Sequence, residues 1–277
     1  MQKNLLNTRL LNRPILLPKK FSYSPFRCAF MRHGESVWNL ENRYTGWADV
    51  PLTEKGQLDA DMAGRLLRDF GCQFDIVYTS VLGRALHTYK ILSNYIDSRL
   101  PVVHSYKLNT IHYGALEGLE KSQAQLIFGP EKIECWKSSF DISPPALSET
   151  DPRHPKWDPK YQGIPKSELP ATESLKDIQT RVLSYWFDVI CPAIREGKTP
   201  LVVCHETTLR VIFGFLDGIK DLRSFKVPNA SPIVYEFDQE VKPLKKIHLK
   251  PNVSQIFNIN YPSLYALSEH PGFTPMV

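Results

Sequence analysis

The chain has 277 residues, and its first 27 contain no acidic residue. No apolar run approaches the ~20 residues that a membrane span needs, which excludes an ordinary transmembrane helix. The five cysteines, Cys28, Cys72, Cys135, Cys191 and Cys204, form no Cys-x-x-Cys pair, and several sit inside apolar runs where a small core residue serves. They read as reduced thiols of a reducing compartment rather than a disulfide framework. Carboxylates are few around the candidate site and the histidine spacing is wrong for a metal cage, so no metal is expected. No internal repeat is evident.

Positive charge is present but unevenly spread. The formal net charge is +5, yet Lys3, Arg9, Arg13, Lys19, Lys20 and Arg27 lie in the acid-free start, so the body is close to neutral and basicity gives no argument for nucleic acid. Residues 1–26 read as a basic extension, either disordered or a mitochondrial targeting segment, with leucines at helical spacing and Pro14, Pro18 and Pro25 cutting any helix short. The expected location is cytoplasmic, with mitochondrial as the alternative.

A chain that is 42% hydrophobic can bury one substantial core. From residue 27 to about 238, short apolar runs alternate with helix-period segments, which predicts an α/β domain with a mostly parallel sheet and helices on both faces. Strands are expected over Phe26–Met31, Phe74–Thr79 and Leu201–Cys204, with Pro232–Asp238 as a last, edge strand. Helices are expected over Glu54–Phe70, Arg84–Ile96, Thr172–Glu196 and Thr207–Leu216. Residues 143–170 carry Pro144, Pro145, Pro152, Pro155, Pro159, Pro165 and Pro170, a long irregular insertion of the kind that forms lids or binding surfaces. The core domain spans 27–250, and residues 251–277 form a separate tail rich in Phe257, Tyr261, Tyr265 and Phe273.

Arg32 and His33 follow the first strand, Thr79 and Ser80 the second, and His205 the strand at 201–204. Carboxyl ends of parallel strands share one crevice, so these segments are expected to meet. The guanidinium groups of Arg32 and of Arg84, in Thr79-Ser80-Val81-Leu82-Gly83-Arg84, match phosphate oxygens, and a neutral imidazole can attack phosphorus to give a phosphohistidine.

The motifs Arg32-His33-Gly34-Glu35-Ser36-Val37-Trp38-Asn39, Asn42-Arg43-Tyr44-Thr45-Gly46-Trp47, Thr79-Ser80-Val81-Leu82, His112-Tyr113-Gly114-Ala115-Leu116-Glu117-Gly118 and Glu173-Ser174-Leu175-Lys176-Asp177 extend this picture. On them, from about Phe30 to about Leu249, the chain resembles the cofactor-dependent phosphoglycerate mutases of the histidine phosphatase superfamily. The resemblance implies that fold, His33 as the phosphorylated nucleophile, and Arg32, Asn39, Arg84 and His205 around the transferred phosphate. It also implies that Thr45, Gly46, Tyr113 and Lys121 contact a phosphoglycerate, and that 2,3-bisphosphoglycerate is the phosphoryl donor if the protein is a mutase. Dimers are usual in that family, so a homodimer or a heterodimer with an active mutase is expected.

Three places depart from it. Thr110-Ile111 replaces a Glu-Arg pair whose glutamate is the general acid and base, and threonine cannot do that work near neutral pH. Trp136-Lys137-Ser138-Ser139 replaces Trp-Arg-Arg-Ser, leaving Lys137 as a point charge in the substrate site. Glu206 replaces a glycine after the second histidine, and the superfamily's acid phosphatases carry their proton donor at that place. Three readings follow: a mutase of impaired or altered activity, a phosphatase of small phosphorylated metabolites with Glu206 as relocated donor, or a silent paralogue that binds a ligand or partner.

Overall fold

The computed structural model describes residues 26–251. The expected basic extension and tail fall outside the described residues, apart from Phe26 and Pro251.

The strands β1 (Phe26–Arg32), β2 (Ile76–Thr79), β3 (Val102–His104), β4 (Pro200–Cys204), β5 (Ile233–Phe237) and β6 (Pro243–His248) form one sheet in the order β3-β2-β4-β1-β5-β6. Four neighbours run parallel, with β1 against β4, β4 against β2 and β2 against β3, while β5 and β6 are antiparallel additions. β1 and β4 read as unbroken apolar runs because both of their faces are covered. Cys28, Phe30, Val202 and Cys204 point into one cluster, and Ala29, Met31, Leu201 and Val203 into the other.

The first cluster is closed by α6 (Leu175–Tyr185), α7 (Cys191–Arg195) and α8 (Glu206–Asp217), and the second by α2 (Glu54–Asp69) and α3 (Gly83–Leu92). The short α1 (Val37–Leu40), with α4 (Lys121–Phe128) and α5 (Pro130–Ser138), completes the helices. The expected mostly parallel α/β architecture is therefore what forms. Among the described residues no helix is long and apolar enough to cross a membrane, and all five cysteines are free.

Three expectations are corrected. Pro232–Asp238 is not the edge, because β6 pairs beyond it from Ile233↔His248 to Phe237↔Pro243. The single helix expected over Thr172–Glu196 starts at the Ser174 cap and carries a π-turn at Trp186–Ile190 before α7. Pro192 lacks the N–H that an unbroken α-helix would need there, and the wider turn absorbs the defect. The helix after β2 ends at Leu92 rather than Ile96.

The proline-rich stretch is ordered into short 3₁₀ turns at Pro155–Trp157, Pro159–Tyr161 and Lys166–Glu168. It buttresses rather than covers. Tyr161 packs on Trp47 with ring centroids 5.1 Å apart and its hydroxyl accepts from Asn109 Nδ2 at 3.0 Å, and no residue of 143–170 lines the cavity described next.

Candidate active site

Register places the site. Arg32 is paired with Cys204, and the His33 N–H donates to the Cys204 carbonyl at 3.0 Å, so His33 and His205 leave adjacent parallel strands at the same level. Their rings lie 5.0 Å apart, centroid to centroid, at 61°. Thr79 is level with Val203, which brings Ser80 Oγ to 2.7 Å from His205 Nε2. Gly34 continues the bend toward α2: a Cβ there would sit 2.2 Å from the Gly56 carbonyl oxygen, so no larger residue fits the approach.

A cavity of about 310 Å³ opens at this point. His33, His205, Glu206, Arg32, Asn39, Arg84, Thr45, Gly46, Tyr113 and Lys121 all line it. Lys137 does not: it is exposed on α5 and paired with Glu134 at 3.4 Å. The amphipathic α5 buries Ile133 and turns Lys137 and Ser138 outward, so neither stands at the cavity wall. Ile111 is also absent from the wall and packs against the larger core, whereas Thr110 does line the cavity.

The electrostatics follow from burial. His33 Nδ1 lies 2.6 Å from the Gly34 carbonyl, which can only accept, so Nδ1 carries the proton and Nε2 presents a lone pair. Burial first, then Arg84 and Arg32, holds His33 well below its ordinary value, and it is neutral at physiological pH. His205 is depressed likewise, by burial, then Arg84 and His33. Arg84 is buried, donates to the Gly46 and Ala48 carbonyls at 2.8 Å each, and is lowered to about 10 by burial. Arg32 Nε and His205 Nδ1 are buried without a hydrogen-bond partner. The Arg32 donor is of the kind that an anion in the cavity would satisfy.

Glu206 is held as half of a double ion pair. One oxygen accepts from Arg32 Nη1 at 2.6 Å and the other from Arg210 Nη2 at 2.5 Å. Both oxygens thus act as acceptors, and one of the two arginines expected to grip phosphate is already engaged.

Sequence reasoning missed several wall residues. Asn229 lines the cavity and donates to the His33 carbonyl at 2.9 Å, and Tyr44 stacks edge-on against Tyr113 with centroids 5.1 Å apart. Asn229 precedes β5 without any motif around it, so only the β1–β5 pairing reveals it. Tyr44 stood in the Asn42–Trp47 motif and was legible there.

The class these features define is an α/β fold with a histidine and arginine cavity at the carboxyl edge of its sheet. The chain belongs to the histidine phosphatase superfamily (branch 1), whose family model matches residues 28–150 and 146–249. Among solved structures it is similar to phosphoglycerate mutase from Bacillus anthracis at 26% identity and TM-score 0.55, covering 83% of this chain and 93% of that one. Bacillus stearothermophilus YhfR is similar at 26% identity and TM-score 0.58, covering 78% and 93%. The alpha-ribazole phosphatase from Shigella flexneri shares the fold at 22% identity and TM-score 0.62, covering 81% and 96%.

Proposed function

We propose that the protein hydrolyses small phosphomonoesters through a phosphohistidine on His33. The Nε2 lone pair attacks phosphorus while Arg32, Arg84, Asn39 and His205 surround the transferred oxygens, and water then takes the phosphoryl group from His33. The observation that carries hydrolysis over mutase chemistry is the charge of the wall. Arg32, Arg43, Arg84 and Lys121 face Glu35 and Glu206, four cations against two carboxylates, which balances one phosphoryl dianion. That balance suits one phosphoryl group better than 2,3-bisphosphoglycerate, whose two phosphoryl groups and carboxylate carry far more charge. The arginine positions that would have compensated are Ile111, in the core, and Ser138, outside the cavity.

Glu206 is the donor for the leaving oxygen in this reading. Phosphoryl oxygens compete with its carboxylate for Arg32, which turns one Glu206 oxygen toward the leaving group while Arg210 holds the other. Thr45, Gly46, Tyr113 and Lys121 on the wall, together with the similarity to the Bacillus anthracis mutase, favour the mutase as the second reading.

The test is to give the protein p-nitrophenyl phosphate, 3-phosphoglycerate and 2,3-bisphosphoglycerate, trapping any acid-labile, base-stable phosphoenzyme, with His33→Ala as control. Hydrolysis is supported by a His33-dependent phosphoenzyme and phosphate release from p-nitrophenyl phosphate. Faster conversion of 3- to 2-phosphoglycerate than phosphate release establishes the mutase instead, and no phosphoenzyme with any donor rejects both.

A further inference from the structure

Among the described residues two glutamates are deeply buried, Glu117 and Glu173. Glu173 is answered by Arg181 at 2.7 Å. Glu117 touches no cation of that kind: among the described residues its ion-pair partner is His112, whose Nδ1 lies 3.3 Å from Oε1. That nitrogen already accepts the Gly114 N–H at 3.0 Å, and burial holds His112 down to about 3, so two acceptors face each other. A proton between them relieves the contact.

Glu117 also stands directly behind the cavity wall. Its Oε1 accepts the N–H of Trp47 at 2.8 Å and of Tyr113 at 3.1 Å, joining the turn that carries Thr45 and Gly46 to the one that carries Tyr113. A Cβ on Gly46 would lie 1.7 Å from that oxygen, so only the glycine backbone separates the carboxylate from the cavity. From the other side Arg84 donates to the Gly46 carbonyl at 2.8 Å.

We propose that Glu117 is a positioning residue linked to protons: it braces the Gly46 and Tyr113 walls and takes up a proton when an anion binds on Arg84. This rests on the cavity being a phosphoryl site. Arg84 is charged inside the protein, and Asp49 and Glu117 both favour that charge through the wall. An anion in the cavity takes over their task, and a dianion close to a carboxylate makes the charged carboxylate costlier. The groups facing Glu117 are Arg84 from α3, Arg153 from the proline-rich stretch, His112 and Tyr161. Burial pushes its carboxyl up to about 7 against the Trp47 and Tyr113 hydrogen bonds and the two arginines, so the exchange falls in the neutral range. The protonated form then binds anions more tightly, and affinity declines as pH rises through that value.

Sulfate is the probe, because it keeps two charges throughout the range and needs no turnover. Calorimetric titration at several pH values, in two buffers of different ionisation enthalpy, gives affinity and proton uptake together. Wild-type affinity is expected to fall by up to about tenfold per pH unit above neutrality, with net proton uptake. Glu117→Gln keeps an acceptor oxygen without the charge, and it is expected to bind sulfate with a flat pH profile and reduced uptake. Uptake equal in both proteins places the proton on another wall group and overturns the proposal, as does a wild-type affinity indifferent to pH. Binding of sulfate by neither protein overturns the phosphoryl reading as well. Should the variant not fold, the infrared carbonyl band of a protonated carboxyl decides in Glu206→Gln, which keeps Glu117 and removes the acid that Arg32 holds: the band must grow when sulfate is added.

Discussion

At the scale of the residue, the site is governed by what stands beside each charge. Glu206 accepts from Arg32 and Arg210 at once, so its work as a donor depends on phosphate displacing it. Glu206→Gln is expected to slow hydrolysis of alkyl phosphates roughly 10²-fold while barely affecting p-nitrophenyl phosphate, whose phenolate leaves without a proton. Steady-state rates over a series of leaving groups check this, and equal losses across the series would assign Glu206 to binding instead. Gly46 makes a second case. Its φ is +52° and a Cβ would meet Glu117 Oε1, so Gly46→Ala is expected to cost about 2–4 kcal/mol in urea denaturation, partly recovered in Gly46→Ala/Glu117→Ala. Arg32, His33 and His205 were legible because residue type and strand-end position coincide, and Asn39, Thr45, Gly46, Tyr113 and Lys121 because the motif resemblance supplied them. Glu117 was not. It read as one more acid in a motif, and its burial depends on Trp47 and Arg84, which only the fold brings near.

At the scale of the element, α6 fixes the wall from behind. Arg181 on this helix pairs with Glu173 and donates to the carbonyls of Tyr106, Lys107, Asn109 and Thr110, so one guanidinium holds the whole segment that leads to the cavity. It also lies 5.5 Å from the Trp47 ring. Arg181→Ala leaves the Glu173 carboxylate buried and unpaired and is expected to cost roughly 3–5 kcal/mol in urea denaturation. A loss below about 1 kcal/mol would mean that water replaces the guanidinium. Elements with a strong apolar rhythm, such as β1, β4 and α8, were visible in the sequence. β6 was not, because Pro243–His248 has an exposed or half-buried side chain at every position and gives no alternation to read. β3 is only three residues long and was too short to register. Lys137 was misplaced for a related reason: a motif match supplies the position of α5 in the chain, but not which of its faces turns inward.

At the scale of the whole molecule, the buried histidines make stability depend on pH in a definite direction. His33, His112 and His205 are all held below their ordinary 6.5, chiefly by burial, so the unfolded chain binds protons that the folded one refuses. The stability they contribute is complete above about pH 6.5 and is lost as the pH falls, each histidine adding up to about 1.4 kcal/mol per pH unit. Glu117 works the other way. Its carboxyl is raised from 4.5 to about 7, so the folded protein keeps a proton that the unfolded chain releases, and acidification between those values is stabilising by up to about 1.4 kcal/mol per unit. Three groups outweigh one. The urea midpoint is therefore expected to fall steadily from pH 6.5 to pH 5, and Glu117→Gln, which removes the opposing contribution, is expected to fall more steeply over the same range. Saturating sulfate binds the folded state alone and raises the midpoint by mass action, most strongly on the acid side where the wall carries less negative charge. A midpoint that stays level through this range in wild type would mean that the histidines take protons without unfolding, and with it the account of a neutral His33 nucleophile would fail.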